Sequence, residues 1–190
     1  CLNSIINCKN VYSVITIIDN GSNDKTTKIL KKFEKNIYDN GKIKVFYLDK
    51  NFGTTVSRNM GLKYLKDKDV DYICILDSDT AINEDAIMTL TRTLKKNNNI
   101  GIIGPQMRNF AGQLQNSGRR FPTLSIKLMK AIPINKIQKK GELLEKYNFN
   151  DINKVYEVEY LISACWFMRT EIIDIVGLLD ENIFYAPEDV

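Results

Sequence analysis

There is no histidine among the 190 residues. Its absence removes imidazole metal ligands, Ser–His or Cys–His nucleophile pairs and histidine general bases, so acid–base chemistry falls to carboxylates or to less usual groups. The four cysteines (Cys1, Cys8, Cys74, Cys165) are scattered, with no C-x-x-C pair and no metal-ligand spacing. Cys74 and Cys165 lie inside apolar runs, where a buried free thiol is expected rather than a bridge, and that points to a reducing compartment. No apolar run approaches the ~18 residues of a membrane-spanning helix, and no leader pattern opens the chain. Internal repeats and long linkers are missing too. So is any aromatic-plus-basic motif of the RNA-binding modules, and nucleic acid is therefore not an expected partner.

What remains is ordinary for a globular chain: 44% hydrophobic and 26% charged residues, enough for one domain with a sizeable core. The net charge of +4 is a mild bias that suits an anionic ligand or surface without proving either.

Strand and helix signals alternate from the start. Val14-Ile-Thr-Ile-Ile18 is a β-branched run of the kind buried on both faces. A turn-rich loop, Asp19-Asn-Gly-Ser-Asn-Asp24, leads to a helix with Ile29, Leu30, Phe33 and Ile37 on one face. Lys44–Leu48 reads as a second strand, Thr54–Leu65 as a helix and Tyr72-Ile-Cys-Ile-Leu76 as a third strand. Asn83 is the expected N-cap of a helix that buries Ile87, Leu90 and Leu94. Ile100–Ile103 is a fourth strand, giving βαβαβαβ and a parallel sheet wrapped by helices. Beyond Gly112 the pattern turns irregular. Residues 119 to 141 carry seven basic side chains and no acid, interleaved with Leu124, Ile126, Leu128, Met129 and Ile132. Val155–Met168 reads as returning strands, and Thr170–Val176 as a helix stopped by Gly177.

Ligands of open α/β sheets bind beyond the carboxyl ends of the strands. Two strands here end in acidic loops, Asp19 after the first and Asp77-Ser78-Asp79 after the third, and both face the same crevice. Hard carboxylate oxygens there suit Mg²⁺ or Mn²⁺ held between protein and phosphate. Asp-Ser-Asp-Thr is equally a turn-forming sequence, and these residues alone leave both readings open.

Three more stretches occur in order around that motif: Asp19-Asn-Gly-Ser-Asn-Asp24, Asn51-Phe-Gly-Thr-Thr-Val-Ser-Arg58-Asn-Met-Gly61, and Ala164-Cys-Trp-Phe-Met-Arg169 running through Gly177, Asp180-Glu181 and Phe184 to Glu188-Asp189. Each is weak singly. Together, over nearly the whole chain, they resemble the family 2 glycosyltransferases of GT-A fold. Gly118-Arg-Arg-Phe-Pro122 looks most like the rhamnosyltransferase-type members that build bacterial cell-surface polysaccharides.

The resemblance implies an α/β, GT-A fold, with a Rossmann-like, mostly parallel sheet flanked by helices. The chain starts on Cys1 and stops one residue after Asp189, so the expectation is a fold truncated at both ends. Residues 1–190 form one domain on this reading, with a nucleotide-sugar half (1–104) and an acceptor-side half (105–190). An inverting transfer from a UDP- or dTDP-linked sugar to a saccharide or lipid-linked acceptor follows. Asp79 contacts Mg²⁺ or Mn²⁺; Asp77 faces the ribose, or the metal through water; Ser78 lies between them in the nucleotide-sugar site. Asp19 accepts from the nucleobase imide, and Asn51, Gly53 and Arg58 line the nucleotide, with phosphate, Asp77 or solvent as alternatives for Arg58. Asp24 is either part of this site or a helix N-cap. Gly53 and Gly61 allow close backbone approach. Asp189 is the candidate general base, with Glu188 sharing or replacing it. Trp166 either stacks on an acceptor sugar or belongs to the core. The basic, apolar-interleaved segment 119–140 either makes a peripheral membrane contact or is a solvated loop, and the expected location is cytoplasmic, at the inner face of the membrane. A sugar-1-phosphate nucleotidyltransferase and a non-catalytic nucleotide-sugar-binding scaffold are the alternative classes.

Overall fold

A computed structural model describes residues 1–35, 41–147, 149, 151 and 154–185. In chain order it contains α1 (Leu2–Ile6), β1 (Ser13–Asp19), α2 (Thr26–Lys35), β2 (Gly41–Tyr47), α3 (Thr54–Lys66), β3 (Tyr72–Leu76), α4 (Glu84–Lys96) and β4 (Ile102–Ile103). These are followed by the short strands β5 (Met107–Arg108), β6 (Leu114–Gln115) and β7 (Gly118–Arg119), then α5 (Leu124–Ala131), α6 (Asn135–Glu145), β8 (Tyr160–Leu161), β9 (Cys165–Arg169) and α7 (Ile172–Val176).

The mixed α/β class expected from the sequence is present, with β1 and β2 parallel from Ser13 opposite Gly41 to Asp19 opposite Tyr47. The other main sheet is wired differently. β9 lies between β3 and β4 and is antiparallel to both, with Leu76 opposite Cys165 and Ile103 opposite Phe167. β3 and β4 therefore run parallel but share no ladder. Side-chain alternation along β9 explains why it takes the centre. Trp166 and Met168 pack with Leu62, Ile73 and Ile173 on one face, and Cys165 and Phe167 with Ile82, Leu90 and Leu94 on the other. A segment apolar on both faces gains most from a central position, at about 1.5–3 kcal/mol per fully buried large side chain. Tyr72 stacks on Phe167 across the ladder, ring centroids 5.7 Å apart.

Asn83 caps α4 as expected, its side chain accepting from the Ala86 N–H at 2.9 Å. In α2, Leu30 is buried, but Ile29 is half exposed at 51% and leaves the apolar face; Ile37 lies outside the described residues. The stretch 119–141 is not an irregular loop. α5 and α6 pack against each other there, organised by Glu145, which is 3% exposed. Both Glu145 oxygens accept from Lys130 Nζ at 3.0 Å, Arg119 lies 3.9 Å away, and the Glu145 carbonyl accepts from the Arg120 N–H. One acid beyond the basic stretch thus supplies the anchor that the stretch itself lacks.

Candidate functional site at the carboxyl ends of the strands

β1 delivers Asp19 to its carboxyl end, where it is 5% exposed. Its Oδ1 accepts from the Ser22 N–H at 3.1 Å and its Oδ2 from the Thr27 hydroxyl at 2.9 Å, so the loop and the first turn of α2 are both gathered on one carboxylate. Asp24 accepts from the Thr26 N–H at 2.8 Å, and the Thr26 hydroxyl together with that N–H holds its carboxyl below the usual range. This is the helix-start role, two residues ahead of the first turn.

The loops after β1 and β2 are stitched together by amides. Asn20 Nδ2 donates to Asn51 Oδ1 at 2.9 Å and to the Gly53 carbonyl at 3.0 Å, and Asn20 Oδ1 accepts from the Phe52 N–H at 2.9 Å. Asn51 Oδ1 also accepts from the Gly53 N–H at 2.8 Å. Asn20 was not among the sequence candidates; a D-N-G-S string reads as turn chemistry, and nothing local shows that its amide reaches across to another loop. Gly21, at φ +79°, lies so close to this second loop that a Cβ would sit 2.5 Å from the Lys50 carbonyl carbon. Gly53, at φ +92°, would place a Cβ 2.4 Å from the Phe184 carbonyl oxygen. Gly61 does not make the expected close backbone approach, since a Cβ there meets only Ile18 Cγ1 at 3.9 Å.

At the end of β3 Asp-Ser-Asp-Thr forms the turn expected of it. The Thr80 N–H donates to the Asp77 carbonyl at 3.0 Å, closing a turn, while the turn projects Ser78 and Asp79 into solvent. The Asp77 N–H donates to the Ala164 carbonyl at the start of β9. Asp77 Oδ1 accepts from Arg58 Nη2 at 3.1 Å, the Asp77 pairing that was one of the sequence alternatives for Arg58. The Arg58 guanidinium also lies over the Trp166 ring, 5.6 Å from its centroid. Trp166 itself is 8% exposed and donates its indole N–H to the Leu161 carbonyl at 3.1 Å, so in this structure it packs in the core and supports Arg58. Arg169, from the same motif, donates to the Leu94 carbonyl at the end of α4, where a cation favours the helix terminus.

α3 joins these groups. Gly53 precedes its first residue, and Arg58 follows one turn later on the Asp77 side. On another face Thr55 and Asn59 are 0% and 1% exposed. Thr55 donates to the Ile183 carbonyl, and the Thr54 N–H to the Phe184 carbonyl at 2.8 Å. Asn59 Nδ2 donates to the Leu179 carbonyl at 2.8 Å and to Glu181 Oε1 at 3.0 Å, while its Oδ1 accepts from the Leu179 N–H at 2.9 Å. The Asn59 amide, with Lys63 at 3.3 Å, holds the Glu181 carboxyl below its usual range. Asn59 was visible only as a motif letter. Its partners lie 120 and 122 residues away, beyond any local signal. Glu188 and Asp189 lie outside the described residues.

Among the described residues no group of three potential metal ligands is assembled. The carboxylates exposed or half-buried at the end of β3 are those of the Asp77–Asp79 turn. That donor set fits a hard cation that keeps waters and shares oxygens with a phosphate ligand.

Residues 1–176 match the family described as Glycosyl transferase family 2, in which a divalent metal ion is generally used. The chain is 24% identical to the dTDP-rhamnosyl transferase RfbF of Shigella flexneri over 184 residues, 96% of this chain and 54% of that protein. It is 33% identical over 110 residues to a poly-beta-1,6-N-acetyl-D-glucosamine synthase of Staphylococcus epidermidis, 57% of this chain and 25% of that one. Over 108 residues it is 35% identical to the poly(ribitol-phosphate) beta-N-acetylglucosaminyltransferase TarP of Staphylococcus aureus, covering 54% and 30%. The chain thus spans about half or less of the length of these curated relatives.

Proposed function

The chain belongs to glycosyl transferase family 2, a family of GT-A fold, and from that premise we propose that it transfers a sugar, with inversion, from a UDP- or dTDP-linked donor to an acceptor hydroxyl in cell-surface polysaccharide or glycolipid synthesis. The observation that carries this reading is the convergence on α3 of the two stitched loops and the Arg58–Asp77 pair, with Asp79 exposed two residues beyond Asp77.

In this mechanism the residues 1–104 hold the donor and 105–190 face the acceptor. Asp19 takes the nucleobase imide N–H; an ionised carboxylate has about four acceptor sites, and two are occupied here. Asn51 and Gly53 shape the nucleotide wall through the Asn20 stitch. Arg58 is shared between Asp77 and the diphosphate, and Asp77 and Ser78 take the ribose side. Asp79, with Asp77, would hold Mg²⁺ or Mn²⁺, and the cation would supply Lewis-acid neutralisation of a diphosphate's negative charge. Asp189, with Glu188 beside it in sequence, removes the proton of the acceptor hydroxyl. That oxygen attacks the anomeric carbon from the face opposite the diphosphate, the sugar–phosphate bond breaks, and the diphosphate leaves with its electron pair. A positioned base contributes about 10²–10⁴-fold.

The acceptor is a saccharide, free or lipid-linked. α5 and α6 expose Leu124, Leu128, Leu143 and Leu144 among Lys127, Lys136, Lys139 and Lys140, a surface that suits an anionic bilayer. We place the protein in the cytoplasm at the inner face of the membrane; its free thiols are consistent with a reducing compartment. No helix among the described residues is long and apolar enough to cross a membrane.

The test is calorimetric titration of the intact protein with UDP and dTDP, each with Mn²⁺, Mg²⁺ or chelator. Cation-dependent binding, lost in Asp79→Ala, is expected. Binding that ignores both the cation and Asp79→Ala overturns the assignment of the site, and binding without transfer of any sugar to any acceptor overturns the enzymatic reading in favour of a scaffold.

A further inference from the structure

Resting on the glycosyltransferase reading above, we propose that the stacked Phe121–Tyr160 pair, with the Glu159 carboxylate beside it, is a subsite for the acceptor saccharide. The rings take the apolar C–H face of a pyranose, and the carboxylate accepts from its hydroxyls.

Phe121 precedes Pro122, which biases it to extended backbone. Its N–H donates to Glu159 Oε2 at 2.6 Å. Its ring stacks on Tyr160, with centroids 5.8 Å apart and planes 25° from parallel. The ring is thus fixed, yet Phe121 stays 48% exposed: one face is spent on Tyr160 and the other is open. The Tyr147 hydroxyl lies 3.5 Å from Glu159 Oε1. Glu159 is exposed, and an ionised carboxylate has about four acceptor sites, so room is left for hydroxyl donors. A fixed apolar face beside such an acceptor suits a neutral sugar, whereas the carboxylate repels phosphate and anionic headgroups.

Position ties the pair to the donor side. Tyr160 lies opposite Arg119 in the β7–β8 ladder, and the next residue, Leu161, takes the Trp166 indole N–H on its carbonyl. Trp166 supports Arg58, the partner of Asp77. Ala164, whose carbonyl accepts from the Asp77 N–H, follows Tyr160 by four residues, so their α-carbons are at most about 14 Å apart. A saccharide on the pair therefore extends toward the turn that ends β3. Trp166, expected to stack on an acceptor, is buried; Phe121 offers the accessible ring instead.

Phe121 also stands just ahead of α5, where Leu124 and Leu128 are exposed, so a bilayer-facing side chain is the competing account. The two differ in what replaces phenylalanine. Leucine serves apolar insertion, while stacking on a pyranose needs a flat ring.

The test is saturation-transfer NMR on the intact protein without nucleotide, against methyl hexosides, 6-deoxyhexosides and N-acetylhexosaminides. Phe121→Leu, Phe121→Trp and Glu159→Gln are run alongside. Transfer from aromatic protons to the ring C–H groups of at least one pyranoside is expected. Its affinity should fall about tenfold in Phe121→Leu and about threefold in Glu159→Gln, and persist in Phe121→Trp. UDP or dTDP affinity should stay the same in all three. The subsite is overturned if the unchanged protein binds no pyranoside, if Phe121→Leu or Glu159→Gln binds as well as the parent, or if Phe121→Trp loses as much as Phe121→Leu. Should Phe121→Leu not fold, Glu159→Gln, which keeps both rings, carries the comparison. Nucleotide binding without pyranoside binding removes the subsite and leaves the transferase reading standing; pyranoside binding without nucleotide binding does the reverse.

Discussion

Arg58 Nη2 lies 3.1 Å from Asp77 Oδ1, with the arginine side chain 13% exposed and the aspartate 40%. The same guanidinium covers the face of Trp166, so a planar cation is sandwiched between a carboxylate and an indole. The contact ties the second turn of α3 to the end of β3. It also leaves the aspartate open enough to exchange a protein partner for a ligand.

Lysine cannot reproduce both halves of that contact, because it lacks the planar fork that pairs with a carboxylate while stacking on a ring. Arg58→Lys is expected to lower stability by about 1 kcal/mol, discounted for the exposure of Asp77, and to weaken nucleotide binding. Thermal unfolding and titration measure the two effects, and wild-type values in both would contradict the arrangement.

Gly53→Ala meets two obstacles, a φ of +92° and the Phe184 carbonyl oxygen at 2.4 Å. We expect a loss of about 1–3 kcal/mol from the backbone conformation alone, read by chemical denaturation. Faster hydrogen exchange at residues 183 and 184 should accompany it. A variant as stable as the parent would show that this loop does not need its glycine.

The Asn59 amide and Lys63 hold the Glu181 carboxyl below its usual range. A depressed native pKa means that the stabilisation is complete above the unfolded value of about 4.3 and disappears as pH falls through the lower native value. Thermal midpoints of the parent should therefore drop more steeply with acidification below pH 5 than those of Glu181→Gln, the two curves lying furthest apart at pH 7 and converging as the carboxyl is protonated. Parallel curves would show that the Glu181 carboxylate gains nothing from Asn59 and Lys63.

Glu145 and Lys130 should respond asymmetrically. Lys130→Ala strips a 4% exposed carboxylate of its nearest partner, leaving Arg119 at 3.9 Å, and should cost about 3 kcal/mol. Glu145→Gln strands a lysine that is already 41% exposed and can turn to water, at about 1 kcal/mol. Denaturant titration of the two variants decides, and the reverse order would mean that Glu145 is not the anchor of the α5–α6 pair.

The thiols of Cys74 and Cys165 lie 3.9 Å apart and unbonded, far beyond the ~2.05 Å of a disulfide. The contact with Cys165, and then burial, push Cys74 well above the ordinary thiol range, and burial also raises Cys8. Alkylation at pH 8 should label Cys1 alone until the protein unfolds; prompt modification of Cys74 would contradict the packing around β3 and β9.

Local features of this fold were written in neighbouring residues. The strand at 14–18, the Asn83 cap and the Asp-Ser-Asp turn after an apolar strand depend on spacings of two to four positions, and a linear reading recovers them, although residues 14–18 are half-buried rather than buried on both faces; the exclusion of histidine chemistry needs composition alone. Other features rest on partners that periodicity never identifies. The insertion of β9 between β3 and β4 is one, because an apolar strand announces that it is buried but not beside which strand. The amide stitch of Asn20, the choice of Asp77 by Arg58, and the hold of Asn59 on Leu179 are others, each a directional hydrogen bond satisfied by a group distant in sequence. The anchoring of a basic stretch on Glu145 belongs with them, since charge composition alone reads as a solvated surface. Short-range patterning thus established what the elements are and which carboxylates end the strands. Long-range packing and hydrogen-bond satisfaction decided what those carboxylates face, and which helix holds them in place.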